Sequence, residues 1–421
     1  MSREMKYSGI KWIGDIPKEW KTMPHKYIMS KKKDVLEHYQ GQDIISLTMN
    51  GVIVRDLDAG GKMPLSFDGY QLVYPNNLLL CLFDIDVTPR CVGLIKNYGV
   101  TSPAYSQFVM KKHGHSPYYD YLLRYIDDNK CFLHLSKNLR SSLTETDFGQ
   151  IYTCVPPIYE QQKIADYLDT VCGEIDEMIA LQEKMIEELK AYKQSVITEA
   201  VTKGLNPNVP MRDSGIDWIG DIPQHWQACR IKNKVIFNPG NIAPSNNIEV
   251  SYMPMECLRF NEIEKRTALY EDVKGYTPFA EGDIVMAKVT PCFENGNLAI
   301  AKGMTNGIGF GTSEIFVLRC NSTDCDSRYI FYYLRTPYIL SRGVSSMVGT
   351  GGLKRVNPQF FLCSHLLLPP LSEQRAIADY LDAKCANIDR LITLKQEKID
   401  SLKEYKKSLI YEYVTGKKQV N

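Results

Sequence analysis

Two stretches of this chain, about two hundred residues apart, are near copies of each other. Tyr7–Trp20 reads YSGIKWIGDIPKEW and Asp213–Trp226 reads DSGIDWIGDIPQHW, at an offset of 206, with 10 of 14 positions identical. A longer block repeats at a second offset. Val155–Gly204 aligns without a gap to Leu368–Lys417, shifted by 213, with 25 identities in 50 positions. Ile164–Asp169 recurs whole at Ile377–Asp382, and Pro156, Pro157, Glu160 and Gln161 recur as Pro369, Pro370, Glu373 and Gln374. The period is far too long for a solenoid. The chain is a duplication of one half-protein, each half opening on a tryptophan motif and closing on a 50-residue block. Between these frames, residues 21–154 and 227–367 align poorly. The frames therefore carry a common task, and the inserts carry a choice.

The closing blocks read as long helices. Ile164, Leu168, Val171, Ile175, Met178, Gln182, Met185, Leu189, Tyr192 and Val196 alternate spacings of four and three, the a/d pattern of a helix seam. Pro156-Pro157 bars a helix upstream, and Gly204 followed by Pro207 ends it. The second block keeps the register with Ile377, Leu381, Ile388, Leu391, Leu402, Tyr405 and Leu409, and Lys384, Lys395 and Lys398 interrupt it. Forty helical residues reach roughly 60 Å. A single apolar stripe needs a partner, and the economical partner is the other copy. Ile164, Leu168, Ile175 and Leu189 are expected to face Ile377, Leu381, Ile388 and Leu402 in an antiparallel coiled coil.

The inserts read as mixed α/β with strand-rich cores. Ile284–Pro291 is β-branched and alternating, Asn295-Gly296-Asn297 is a turn, and Leu298–Ala301 returns as a strand. Glu314–Leu318 is a further strand, Arg328–Arg335 a tyrosine-rich helix, and Gly349–Gly352 with Leu353–Arg355 a flexible loop ending in charge. The first insert follows the plan loosely, with Leu78–Phe83 as a strand, Tyr118–Ile126 as a helix, and Ser136–Leu143 in the place of the glycine-rich loop. The expected fold class is α+β: two mixed, strand-rich domains separated by two long helices, with pseudo-twofold symmetry. The expected segments are 1–155, 156–206, 207–368 and 369–421, alternating domain and spacer helix.

Composition narrows the function. Lys plus Arg is 50 and Asp plus Glu is 49, so a uniformly basic nucleic-acid coat is excluded, though local basic surfaces are not. Pro156–Gly204 holds 10 acidic and 5 basic residues, so the basic excess lies outside that helix. The longest wholly apolar run, Leu78–Phe83, is far short of the roughly 18 residues that span a bilayer. Met1–Gly14 has no apolar core of signal-peptide length, so a cytoplasmic location and no membrane partner are expected. None of the 12 cysteines forms a C-x-x-C or a zinc-finger spacing with histidine, which reads as reduced thiols packed as small hydrophobes. No metal and no cofactor are expected. Gly349–Gly352 and Gly309-Phe310-Gly311 do not sit between a strand and a helix, so dinucleotide and S-adenosylmethionine binding are not supported. There is no phosphate-binding G-x-x-x-x-G-K-[ST] loop, Thr290–Phe293 lacks the acid and second proline of an adenine-methyltransferase tetrapeptide, and Glu404-x-Lys406 is half a nuclease motif on a helix. His113 and His115 read as a solvated loop. No residue set suits acid–base or nucleophilic catalysis.

The paired SGI-x-WIGDIP motifs (Ser8–Pro17 and Ser214–Pro223), the proline-led Glu-Gln helices, Gly282–Gly296 (GDIVMAKVTPCFENG) and Gly311–Glu314 (GTSE) together resemble the specificity subunit of type I restriction-modification systems. The resemblance covers essentially the whole chain, and the duplicated frame is its specific part. It implies two target-recognition domains, each reading one half of a bipartite DNA site. It also implies antiparallel helices that dock two methyltransferase subunits, with motor-nuclease (restriction) subunits joining to cut, and a chain that is not itself catalytic. A rod of 60 Å bounds the half-site separation at roughly 17 base pairs. Base readout uses Arg, Lys, Asn, Gln, Ser and Thr on loops. The candidates are Arg90, Ser102, Tyr105, Lys137, Asn138 and Arg140 in the first insert, and Lys288, Thr290, Asn295, Asn297, Lys354 and Arg355 in the second. Trp12 and Trp218 read as hydrophobic anchors between domain and helix. The alternative function is a non-enzymatic coiled-coil adaptor that presents two protein-binding heads.

Overall fold

The computed structural model describes residues 3–49, 51–58, 64, 66–86, 88, 90–132, 142–240, 242, 244, 246–259, 261–321, 323–350 and 352–420. The chain is α+β and divides into two units. Unit 1 comprises Met1–Glu183 with Glu397–Asn421, and unit 2 comprises Lys184–Gln396. Two long helices, Ile158–Lys203 and Leu371–Val414, dominate the secondary structure. Each contributes to both units. Unit 1 holds the beginning of the first helix and the end of the second, and unit 2 holds the reverse.

Inside each unit the two helix segments pair antiparallel, and the pairs are equivalent. In unit 1 the Lys406 ammonium binds both oxygens of Asp176 at 2.6 Å. In unit 2 Lys193 binds both oxygens of Asp389 at 2.6 Å. These four residues correspond at the 213 offset, so one charged bridge fixes the helix register in both places.

The apolar seam differs from the heptad expectation. Ile164, Leu168, Cys172, Ile175, Ile186, Val196, Ile197, Ala200 and Val201 are buried, whereas Met178, Met185 and Tyr192 are 42%, 36% and 48% exposed. The buried line advances at 3.6 residues per turn, so positions spaced at 3.5 drift off it within two heptads. Part of each seam packs on a globular core rather than on the other helix alone. Ile164, Leu168 and Ile175 lie in the same buried cluster as Leu78, Tyr118, Phe148 and Leu409, with Leu402 against its edge. Ile377 and Leu381 lie with Val201, Trp226, Phe316 and Tyr329. Ile388 is buried, and Leu189 is half-buried.

The inserts, unlike in sequence, share one sheet. In unit 1 four antiparallel strands run in the order Met29–Lys32, Ser106–Met110, Leu78–Leu80, Val92–Leu94. In unit 2 the order is Val235–Phe237, Ile315–Cys320, Ile284–Ala287, Leu298–Ile300, again antiparallel. A helix follows each sheet, Ser116–Asp128 in one unit and Ser327–Leu334 in the other. Unit 2 adds a second four-stranded sheet, Arg266–Leu269, Glu249–Met253, Ile308–Gly311 and Thr277–Ala280. Unit 1 has two smaller pairs, Gln71–Val73 with Gly99–Thr101 and Ile45–Thr48 with Gly51–Val54.

The frames are anchors. Gln161 accepts from the His115 amide and donates to the carbonyls of His113 and Pro156, each at 2.9 Å. Gln374 does the same with the Asp326 amide and the carbonyls of Asp324 and Pro369, each at 2.9 Å. Each fully buried glutamine thus ties the start of a long helix to its insert. The tryptophan motif seats the end of the other helix. A side-chain carbon at Gly416 would collide with Pro17 and Trp20, and one at Gly204 would press on Trp226. Trp218 stacks on Tyr338 with ring centroids 3.5 Å apart, and Trp12 packs against the unit 1 core.

Candidate nucleic-acid interface

In unit 2 the candidate residues converge. The strand Ile284–Ala287 runs on through Lys288 and Thr290 into a cis peptide bond at Thr290-Pro291. The loop beyond closes on itself, with the Phe293 amide on Val289 O, Asn295 on Pro291 O and Asn297 on Cys292 O, at 2.9–3.0 Å. Phe293, 1% exposed, is its keel and fills the space over Gly343.

The segment expected to be a flexible loop is a two-stranded hairpin, Val348–Thr350 with Leu353–Arg355. The glycine-rich composition reads as disorder, but Gly349 at φ +155° and Gly352 at +81° are what lets the ribbon turn. Thr290 holds it. Its hydroxyl donates to Gly352 O at 2.8 Å and accepts from the Lys354 amide at 3.0 Å, while its own amide donates to Lys354 O at 3.0 Å. The Val356 amide donates to Lys288 O at 2.8 Å. All six strand residues of the hairpin are exposed, Val348 at 72%. The ribbon is thus exposed on both strands and braced along its returning strand; a two-stranded ribbon is a shape that the major groove of B-DNA admits.

Each second-unit candidate has a definite place. Lys354 is exposed on the ribbon. Arg355 is also exposed, and its Nε and Nη2 each donate to a Glu314 carboxylate oxygen at 2.8 Å. Arg355 holds the Glu314 carboxyl below the usual carboxylate range. Lys288 is half-buried with its ammonium 5.6 Å from the Phe316 ring centroid. Asn295 is exposed on the loop. Asn297 is half-buried and donates to Leu258 O at 2.9 Å, a tether between loop and core. Lys288, Thr290, Lys354 and Arg355 therefore share one surface with Asn295 and Asn297 beside it, although they come from segments about 60 residues apart. Glu314 was not among the candidates. Its only sequence signal is its place in GTSE at the head of a strand.

Unit 1 presents a different picture. Gln71 donates to Ser102 O at 3.0 Å and to Tyr105 O at 2.6 Å, which fixes that turn. Both residues are half-buried, and Tyr105 packs against Ile45, Val73, Leu79 and Ile95. Arg90 is half-buried, which lowers its pKa, and it lies in the field of Arg124, Asp128, Asp120 and Asp127. Asp120, fully buried, is pushed up by desolvation and accepts a hydrogen bond from Arg124. Lys137, Asn138 and Arg140 lie outside the described residues. Among the described residues no cluster of His, Cys, Asp and Glu could hold a metal ion, and no helix is long and apolar enough to cross a membrane.

Two units with one frame, a buried glutamine at each helix start and an exposed basic ribbon on one of them define a duplicated α+β scaffold. Residues 229–404 match the family model of the type I restriction modification DNA specificity domain. The type I restriction enzyme EcoEI specificity subunit of Escherichia coli is 33% identical over 201 residues, 46% of this chain and 33% of that protein. The chain thus spans about a third of the length of that relative. A Methanocaldococcus jannaschii chain, provisionally named the type I restriction enzyme MjaX specificity subunit, is 26% identical over 432 residues, covering 97% of this chain and 96% of that one. Two solved structures share the fold at 14% identity. One, described for complex assembly and conformational transition of the type I R-M system, has a TM-score of 0.70 over 95% of this chain and 99% of its own. The other, the HsdS subunit from Thermoanaerobacter tengcongensis, has a TM-score of 0.53 over 95% and 98%. Residues 229–404 thus match the specificity-domain model, and the chain as a whole is similar to specificity subunits of type I restriction-modification systems.

Proposed function

We propose that this chain is the DNA-recognition subunit of a methyltransferase–endonuclease complex, without catalytic groups of its own. Each unit reads one half of a bipartite duplex target in the cytoplasm, the second through the ribbon Val348–Arg355 and the loop Lys288–Asn297. The observation that carries this reading is the exposed, braced ribbon with Lys354 and Arg355 on a unit whose frame is shared with its twin. Arg90, Ser102 and Tyr105, with Lys137, Asn138 and Arg140, are the first unit's candidates.

The long helices carry the second part of the proposal, the docking of two methyltransferase subunits, which restriction subunits then join. Exposed apolar side chains recur at the same offset on both helices. Met178, Leu181 and Tyr405 belong to unit 1, and Leu391, Leu394 and Tyr192 belong to unit 2. Their exposures run from 42% to 55%. A patch used twice suits two copies of one partner.

Gel-shift titration of bipartite DNA, with the host's methyltransferase subunits present, tests the reading. A sequence-dependent shift is expected. Binding of protein partners with no DNA preference would favour the adaptor instead. Exchanging residues 227–367 for a relative's insert is expected to change one half-site and leave the other. A change in both, or in neither, would sink the division of labour. Incubating the purified chain with S-adenosylmethionine and DNA is expected to give no methyl transfer.

A further inference from the structure

We infer that Arg355 reads a guanine, and that Glu314 is the positioning residue that makes it a base reader rather than a phosphate clamp. The inference rests on the proposed DNA-recognition role. The carboxylate of Glu314 occupies one edge of the guanidinium, taking Nε and Nη2 at 2.8 Å each. That fork leaves the opposite edge, formed by Nη1 and the outer hydrogen of Nη2, as a second pair of parallel donors. Among the described residues nothing accepts from Nη1. Two parallel donors on a fixed plane match the O6 and N7 acceptors of guanine in the major groove.

Charge decides between base and backbone. Arg355 with Glu314 is a neutral pair, so releasing counterions by pairing it with a phosphate gains little, and the carboxylate repels the phosphate anion. A neutral acceptor pair suffers neither loss. Among the described residues no carboxylate pairs with the adjacent, exposed Lys354, which makes it the phosphate contact. Glu314 is itself positioned. It opens the strand Ile315–Cys320, its carbonyl accepts from the Lys288 amide at 3.0 Å, and its amide donates to the Thr312 hydroxyl at 2.9 Å. The guanidinium plane is therefore set by the sheet rather than by the ribbon alone.

The test is selection from a random duplex pool by the full chain with its methyltransferase subunits, followed by affinity measurements over a salt series. The wild type is expected to select a site containing an invariant guanine that Arg355→Ala releases, with the other positions unchanged. Affinity for the selected site is expected to fall roughly 5- to 150-fold. Arg355→Lys keeps the charge but not the fork and is expected to release the same position. Glu314→Gln is expected to weaken the guanine preference while raising affinity for unselected DNA and steepening its salt dependence by about one unit. Lys354→Ala is expected to weaken every sequence alike. All three positions are exposed or half-exposed, and thermal melts check that each of the four variants folds. If Arg355→Ala leaves the selected sequence unchanged, or weakens all sequences equally with a shallower salt slope, the guanine assignment is wrong while the DNA-binding role stands. If the wild type selects no sequence, both fall.

Discussion

The same glutamate sits at the same turn of both long helices, yet it works differently in each unit. In unit 1 Glu160 is nearly buried, accepts from the Trp20 indole nitrogen at 2.9 Å, and is forked by the Arg3 guanidinium, whose Nη2 lies 2.9 Å away. In unit 2 Glu373 is more exposed and pairs with His225 at 2.8 Å, while the Trp226 indole nitrogen has no partner among the described residues. Position 25 repeats the contrast: His25 is wholly buried where the second copy has Ile231. Asp120 lies on the tyrosine-rich helix of unit 1, and Phe331 takes its place in unit 2. At these three positions unit 1 thus buries a polar group where its twin has a more exposed carboxylate or an apolar side chain. Burying a polar group is tolerable only while every partner is present, so the two units should answer differently to the same insult.

The largest effects should be alike. Ile175→Asp in unit 1 and Ile388→Asp in unit 2 each bury an unpaired charge at an equivalent seam position, and each is expected to cost about 4 kcal/mol. Chemical denaturation followed by a fluorophore in each unit reads them separately. A large loss in one unit and none in the other would break the equivalence of the helix pairs. Next comes the contrast itself. Glu160→Ala leaves the Trp20 indole unpartnered and leaves Arg3 with Glu19 alone, and is expected to cost unit 1 about 3 kcal/mol. Glu373→Ala is expected to cost unit 2 under about 1 kcal/mol, since it removes a partly exposed pair. Equal losses would erase the distinction. Smaller and symmetric, Tyr121→Phe and Tyr332→Phe each remove a 2.7 Å hydrogen bond to a helix carboxylate, Asp169 or Asp382, at about 1–2 kcal/mol apiece.

The units also differ in their response to pH. Burial lowers the His25 pKa from 6.5 to about 3, so the folded unit keeps it neutral while the unfolded chain protonates it. Below pH 6.5 the unfolded state binds the extra proton, and stability is lost as pH falls from there toward 3. At pH 5.5 the loss is about 1 kcal/mol. Asp120 acts oppositely, because its raised pKa makes the folded state the better proton binder as pH falls. Comparing wild type with His25→Ile isolates the histidine. The variant is expected to show a flatter acid limb in unit 1 and no change in unit 2. An unchanged limb would remove His25 as the cause.

Much of this was legible because duplication is its own control. The bounds of the long helices follow from the double prolines before Ile158 and Leu371 and the glycines near their ends. The seam's phase was misjudged at Met178, Met185 and Tyr192, because a heptad fits a free coiled coil while these helices also pack on sheets. In sequence the ribbon looks like a loop because glycine marks both disorder and a tight turn, and only its cross-strand partners separate the two. That Thr290, Glu314 and Arg355 meet could not be read at all, since no local pattern encodes a contact between residues dozens of positions apart. The shared order of the central sheets was equally hidden, because a sheet demands alternation and size but not identity.

The tyrosine that closes each unit sets a timetable for the nascent chain. In unit 2 the Tyr329 hydroxyl donates to Val201 O at 3.2 Å, across 128 residues, and its helix partner is already made. In unit 1 the Tyr118 hydroxyl donates to Val414 O at 2.8 Å, across 296 residues. The unit translated first is therefore completed last. Until Glu397–Asn421 leaves the ribosome, Trp20, Tyr118 and Leu168 lack the helix end that covers them, and that apolar surface is open to chaperones and proteases. A nonsense codon after Gln396 would spare the carboxyl-terminal unit and unmake the amino-terminal one, the reverse of what reading order suggests.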